Sequence, residues 1–153
     1  MLDRKSITGN VFLLGGAAVC WMAKKQPTVA LSTMEAKYIA IALACAQALW
    51  MRQFFEEIEF GTTEPTIIVS DNIAALSLTV ESQYYAHSKH IDIKHHFVRD
   101  AVNNRKIIAI YIPTNENVAN ALTKALPSPR FYELFQTIMG KQIHESEEDY
   151  LWN

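Results

Sequence analysis

Apolar residues fall in short blocks separated by turn-forming residues. Thr8-Gly9-Asn10 leads into Val11-Phe12-Leu13-Leu14, Gly15-Gly16 interrupts, and Ala17 to Trp21 resumes the apolar run. Two such runs around a Gly-Gly step predict a β-hairpin, with Thr8 and Gly9 serving the entry turn. Lys24-Lys25-Gln26-Pro27 breaks the pattern, and Val29 to Leu31 reads as a short extended piece. Ser32-Thr33-Met34-Glu35 then fits the S-x-x-E capping box that opens helices. From Met34 to about Glu59, Met34, Tyr38, Ile41, Cys45 and Leu49 recur at helical spacing, with Ile39, Leu43, Ala46, Trp50 and Phe54 on a neighbouring face. So wide an apolar arc predicts a long helix packed deeply over its first four turns, with Trp21, Trp50 and Phe54 assigned to the core.

Gly61 to Pro65 forms a turn, and the β-branched run Thr66 to Ser70 predicts a short buried strand ending at Asp71. Asn72 to Leu78 reads as a short helix and Glu81 to Ser88 as a loop. From Lys89 to Asn103, one helical face carries Ile93, Phe97 and Ala101, and another carries Asp92, His96, Arg99 and Asn103. Ile107 to Ile112 is the last strand, stopped by Pro113. Helices through Val118 to Lys124 and from the Pro127-Ser128-Pro129 break to Met139 complete a mixed α/β order.

A length of 153 residues fits one domain, and a 50% hydrophobic content excludes a wholly disordered chain. No unbroken apolar stretch approaches the ~20 residues that span a bilayer, and no basic segment precedes an early hydrophobic run. The expectation is an intracellular protein, cytoplasmic or nuclear, with no membrane partner. Cys20 and Cys45 lie in apolar stretches without a C-x-x-C pair, so both read as buried thiols. The net charge of −2 is uneven, because Lys141 faces Glu145, Glu147, Glu148 and Asp149 in the last residues. Residues 141–153 are therefore expected to be an acidic, disordered tail behind a domain of residues 1–140.

Five segments occur in a specific order: Asp3-Arg4-Lys5-Ser6; Leu31-Ser32-Thr33-Met34-Glu35-Ala36-Lys37-Tyr38; Ser70-Asp71-Asn72-Ile73-Ala74-Ala75; Lys89-His90-Ile91-Asp92-Ile93-Lys94-His95-His96-Phe97; and Ile112-Pro113-Thr114 with Ala119-Asn120-Ala121-Leu122-Thr123-Lys124. Together they resemble the ribonuclease H domain at the end of copia-type LTR retrotransposon Pol polyproteins, over about Leu2 to Gly140. The resemblance implies an α/β ribonuclease H-like fold, a mixed β-sheet flanked by helices. It also implies cleavage of the RNA strand of RNA/DNA hybrids by two Mg²⁺ or Mn²⁺ ions held by four carboxylates. Such ions favour oxygen ligands and can stabilise both the attacking and the leaving oxygen.

Carried over position by position, the family's second carboxylate falls on Glu35 and its third on Asp71, which are the implied metal and catalytic residues. Asn120 stands where the fourth, an Asp, is expected, and is expected to be non-functional. The first carboxylate lies on an opening strand upstream of Asp3-Arg4-Lys5-Ser6, so the reading expects truncation, a missing central strand and little or no activity alone. Two strand edges would then lack partners, which invites self-association. Lys89, Lys94 and Arg99 are candidate contacts to the hybrid backbone, read by shape and charge without base sequence. A reverse transcriptase domain of the same polyprotein is the other implied partner.

Blander readings accompany each residue. Glu35 also fits the N3 position of a capping box, Asp71 an N-cap, Asn120 a surface helix position, and the basic residues after Lys89 a solvated face. His87, His90, His95 and His96 with Asp92 suggest zinc only weakly, since no H-E-x-x-H is present and only Asp92 and His96 have i, i+4 spacing. An active nuclease would need Asp3, Glu116 or another chain to replace the lost ligands. A non-catalytic nucleic-acid-binding or protein-interaction module with a ribonuclease H shell is the alternative function.

Overall fold

The structure, a computed structural model, describes residues 4–80 and 89–140, the side chains of residues 89–91 excepted. The expected loop through Ser88, Asp3, His87 and the acidic tail lie outside the described residues. The element order is β1 (Ile7–Leu14), β2 (Ala17–Lys25), α1 (Thr33–Glu57), β3 (Thr66–Ser70), α2 (Ile73–Ser77), α3 (Lys89–Asn103), β4 (Ile107–Tyr111), α4 (Asn120–Thr123) and α5 (Ser128–Ile138). This is the mixed α/β order read from the sequence. Val29 to Leu31, read as a short extended piece, lies outside every strand and helix.

β1 and β2 pair through Gly15 and Gly16, whose φ values of 61° and 86° supply the positive dihedrals that a two-residue hairpin turn needs. β3 and β4 form a separate parallel pair in the register Thr66 to Ile107 and Ser70 to Tyr111. Among the described residues, β1 pairs only with β2 and β3 only with β4. Two two-stranded sheets therefore stand where the resemblance implies one mixed sheet. Among the described residues the outer edges of both pairs carry no further strand.

The chain divides into two compact units, one of Met1–Thr8 and Lys24–Asn117, the other of Gly9–Ala23 and Val118–Asn153. In the first, α1 lies against α2, α3 and β3, and β4 against α2 and α3. Its core holds Tyr38, Ile41, Ala42, Cys45, Ala48, Ile68, Ala75, Val98 and Ile107. By length and composition α1 could cross a membrane. Its apolar character is accounted for by the packed faces of its first four turns. Beyond its end, Phe60 N–H bonds to Phe55 O at 2.8 Å and Glu59 N–H to Glu56 O at 3.1 Å, closing a Schellman motif with Glu59 at φ 59°. Arg52 holds the following turn through the carbonyls of Thr62 and Glu64.

In the second unit the hairpin's turn end accompanies α4 and α5. Gly9 lies within β1, not in a turn before it. A Cβ there would come within 2.5 Å of Thr123 Cγ2 and 3.3 Å of the Ala119 carbonyl, so the close approach of residues 119–123 requires glycine. Leu134 is the buried residue of α5, and Phe131 and Phe135 stack at 5.8 Å on the same helix.

Several burial expectations are corrected. Trp21, Trp50 and Phe54 are exposed by 63%, 59% and 44%, because Trp21 faces outward on β2 and α1 runs past its packed partners after Ala48. There Trp50 and Phe54 stack on each other, ring centroids 5.7 Å apart. Cys20 is half-buried while Cys45 is fully buried. The strand β3 buries only Ile68 and Ser70, with Ile67 and Val69 exposed on its other face. On α3 Val98 and Ala101 are buried while Ile93 and Phe97 are exposed, so of the apolar set read in the sequence Ala101 alone faces inward.

Candidate metal site and nucleic-acid face

Glu35 sits at N3 of α1. Its backbone N–H donates to Ser32 Oγ at 3.0 Å, while its carboxylate Oε2 accepts the Leu31 N–H at 2.7 Å. The sequence therefore forms a reciprocal cap at this helix start, satisfying two otherwise unpaired amides.

Asp71 follows the last residue of β3 and is nearly buried, its side chain 5% exposed. The α2 N-cap belongs instead to Asn72, whose Oδ1 accepts Ala75 N–H at 2.8 Å. Asp71 Oδ1 accepts from Lys37 Nζ at 2.6 Å, across from α1 to the strand end. Lys37, which the sequence reading passed over, is the principal new residue of the site. Its signal was available in outline, because a buried carboxylate needs a cation or several donors. The partner's identity depended on the packing of α1 on β3.

Glu35 and Lys37 are two residues apart, about 200° around the helix, so they leave α1 in different directions. The side chain that reaches Asp71 is the lysine. Asn120 opens α4 and is buried, 4% exposed, so its reading as a surface residue is corrected. It lies in the second unit, whereas Glu35 and Asp71 lie in the first. Among the described residues no three His, Cys, Asp or Glu side chains gather where a metal ion could sit. With Glu35 bonded to Leu31 and Asp71 to Lys37, the residues in this arrangement do not fit a two-metal centre.

On α3, Lys94 and Arg99 are both half-buried, five residues and hence about 140° apart, so they form no single stripe. Lys89 opens the helix, its side chain outside the described part. Arg99 lies close enough to α1 for its charge to act on Tyr38 and His95. Burial pushes the Tyr38 hydroxyl well above the usual phenol range, with Cys45 adding to the effect and Arg99 opposing it. Burial likewise pushes the Cys45 thiol up to about 12. His95 is shifted below the ordinary imidazole value, first by burial and then by Arg99 and His96, against the pull of Asp92 and a backbone hydrogen bond at Leu78. The rings of Tyr38 and His95 lie 6.0 Å apart, and neither Tyr38 Oη nor His95 Nε2 has a hydrogen-bond partner among the described residues. The i, i+4 pair Asp92 and His96 is present at 3.6 Å, and among the described residues no further ligand joins it in a metal cluster.

The chain is 38% identical over 138 residues to the retrovirus-related Pol polyprotein from transposon TNT 1-94 of Nicotiana tabacum, covering 90% of this chain and 10% of that protein. It is 30% identical over 129 residues to the Pol polyprotein from transposon RE1 of Arabidopsis thaliana, covering 84% and 9%. The corresponding protein from transposon RE2 is 28% identical over 136 residues, covering 89% and 9%. No family model matches the chain, and no solved structure does. These likenesses match the chain to a short stretch of retrovirus-related Pol polyproteins. The chain belongs to the Pol polyproteins of copia-type retrotransposons and spans about a tenth of the length of these relatives.

Proposed function

We propose that this chain is the ribonuclease H segment of a copia-type Pol polyprotein, a ribonuclease H-like shell that engages RNA/DNA hybrids and does not cleave them on its own. The observation that carries the reading is Asp71, nearly buried at the end of a parallel strand and joined at 2.6 Å to the opening turns of α1. Glu35 stands in the first turn of the same helix. The motif order and the relatedness to Pol polyproteins support the same assignment. Mg²⁺ or Mn²⁺ remains the cofactor this reading implies, weakly held, because Lys37 already neutralises Asp71 and Glu35 is tied to the Leu31 N–H.

Purified protein incubated with a labelled RNA/DNA hybrid and Mg²⁺ or Mn²⁺ tests the proposal. The expected outcome is binding without metal-dependent cuts; cuts abolished by Asp71→Asn would refute the non-cleaving part, and absence of any hybrid binding would refute the shell.

The ion pair at Asp71 specifically favours a non-catalytic role. In that role hybrid is bound through Lys89, Lys94 and Arg99, and affinity falls steeply with salt. The partners under this reading are the hybrid, a reverse transcriptase domain of the same polyprotein, and further copies of the chain through the outer edges of β1, β2, β3 and β4. The place of action is intracellular, cytoplasmic or nuclear.

A further inference from the structure

We infer that Lys37 is a built-in counter-cation at Asp71, holding the position a divalent ion would take and competing with it. The inference rests on the proposed assignment of Asp71 as a metal ligand. The ammonium lies 2.6 Å from Asp71 Oδ1, and the carboxylate is 5% exposed while the lysine side chain is 30% exposed. The carboxylate is therefore shielded from solvent, and its neutralising charge comes from a flexible side chain with a route to water. A dication approaching Asp71 meets the ammonium at close range, where repulsion between like charges is strong and weakly screened.

The neighbouring carboxylate does not offset this repulsion. Glu35 leaves α1 about 200° away from Lys37 and is tied to Leu31 N–H at 2.7 Å. For one ion to touch both acids, the lysine must lift away and the helix cap must open. A lysine is suited to such a role, since its four-carbon stem can swing without disturbing the backbone.

The test is a Mn²⁺ titration followed by the electron paramagnetic resonance of free Mn²⁺, on the wild type, Lys37→Gln, Lys37→Arg, Asp71→Asn and Lys37→Gln/Asp71→Asn, with circular dichroism melts establishing that each is folded. Lys37→Gln is expected to bind Mn²⁺ about tenfold or more tightly than wild type. Lys37→Arg should stay as weak as wild type, and both Asp71→Asn proteins should lose the site. Equal affinity in wild type and Lys37→Gln, lost on Asp71→Asn, overturns the competing role of Lys37 and leaves the metal assignment standing. Folded Lys37→Gln that binds no Mn²⁺, or binding that survives Asp71→Asn, overturns both. Should Lys37→Gln fail to fold, wild type and Lys37→Arg decide the matter: Mn²⁺ binding by wild type as tight as at an unobstructed carboxylate site overturns the inference, and weak binding by both supports it.

Discussion

Gln26 is nearly buried at the end of the hairpin, where its Nε2 donates to Thr8 Oγ1 and to the Ala36 carbonyl, both at 2.9 Å. Its backbone N–H bonds to Ser6 O at 2.8 Å. The side chain thus ties the open end of the hairpin to the second turn of α1. Because a carbonyl can only accept, Ala36 dictates that a nitrogen and not an oxygen faces it. Gln26→Ala removes two neutral hydrogen bonds of about 1 kcal/mol each and strands the buried Thr8 hydroxyl, for a loss of about 2–4 kcal/mol. Gln26→Glu keeps the shape but places an ionised, acceptor-only group against that carbonyl, so the loss at pH 7 should be at least about 3 kcal/mol. Burial raises the introduced carboxyl's pKa in the folded state, so its protonated form is favoured there. The penalty should then shrink as pH falls toward the unfolded value of about 4.3, and grow as pH rises through the folded value. Urea unfolding by circular dichroism at several pH values, with Gln26→Ala as the pH-insensitive reference, measures this. A Gln26→Glu protein within about 0.5 kcal/mol of wild type at pH 7, or a penalty flat with pH, would refute the reasoning.

Three further outcomes are expected. Glu59→Gly should stabilise the protein by about 1 kcal/mol in urea unfolding, since a left-handed residue closing the motif after α1 is better served without a Cβ. Under native conditions at pH 8, iodoacetamide should label Cys20 well before Cys45, which is fully buried with a thiol pKa near 12; peptide mass analysis reads the order. Because His95 has a folded pKa below its unfolded value, the unfolded chain binds the extra proton between the two. Stability should therefore fall as pH drops below about 6.5 and level off below the folded value, and His95→Gln should show a shallower decline in parallel melts.

Local patterns in the chain were enough to announce most elements. The capping box at Ser32, the Gly15-Gly16 turn, the β-branched run at Thr66 and the proline flanking α5 each act over a few residues, so their effect is visible without knowing what packs where. The motif order likewise pointed to Glu35, Asp71 and Asn120, and to the Pol family that the relatives establish. Burial was another matter. Trp50 and Phe54 have core chemistry but lie beyond the packed turns of α1, and of the apolar set expected on α3 Ala101 alone is buried.

What the sequence alone determined about this protein is its element order, the cap of α1 and its family, because these depend on residues near one another or on ordered motifs. Tertiary structure decided the contacts made at a distance. It brought Lys37 to Asp71 across 34 positions, set Gln26 between Thr8 and the Ala36 carbonyl, and drew residues 119–123 against Gly9. Such pairings are selected when packing removes water and a buried charge or polar group must find whichever partner the fold places within reach.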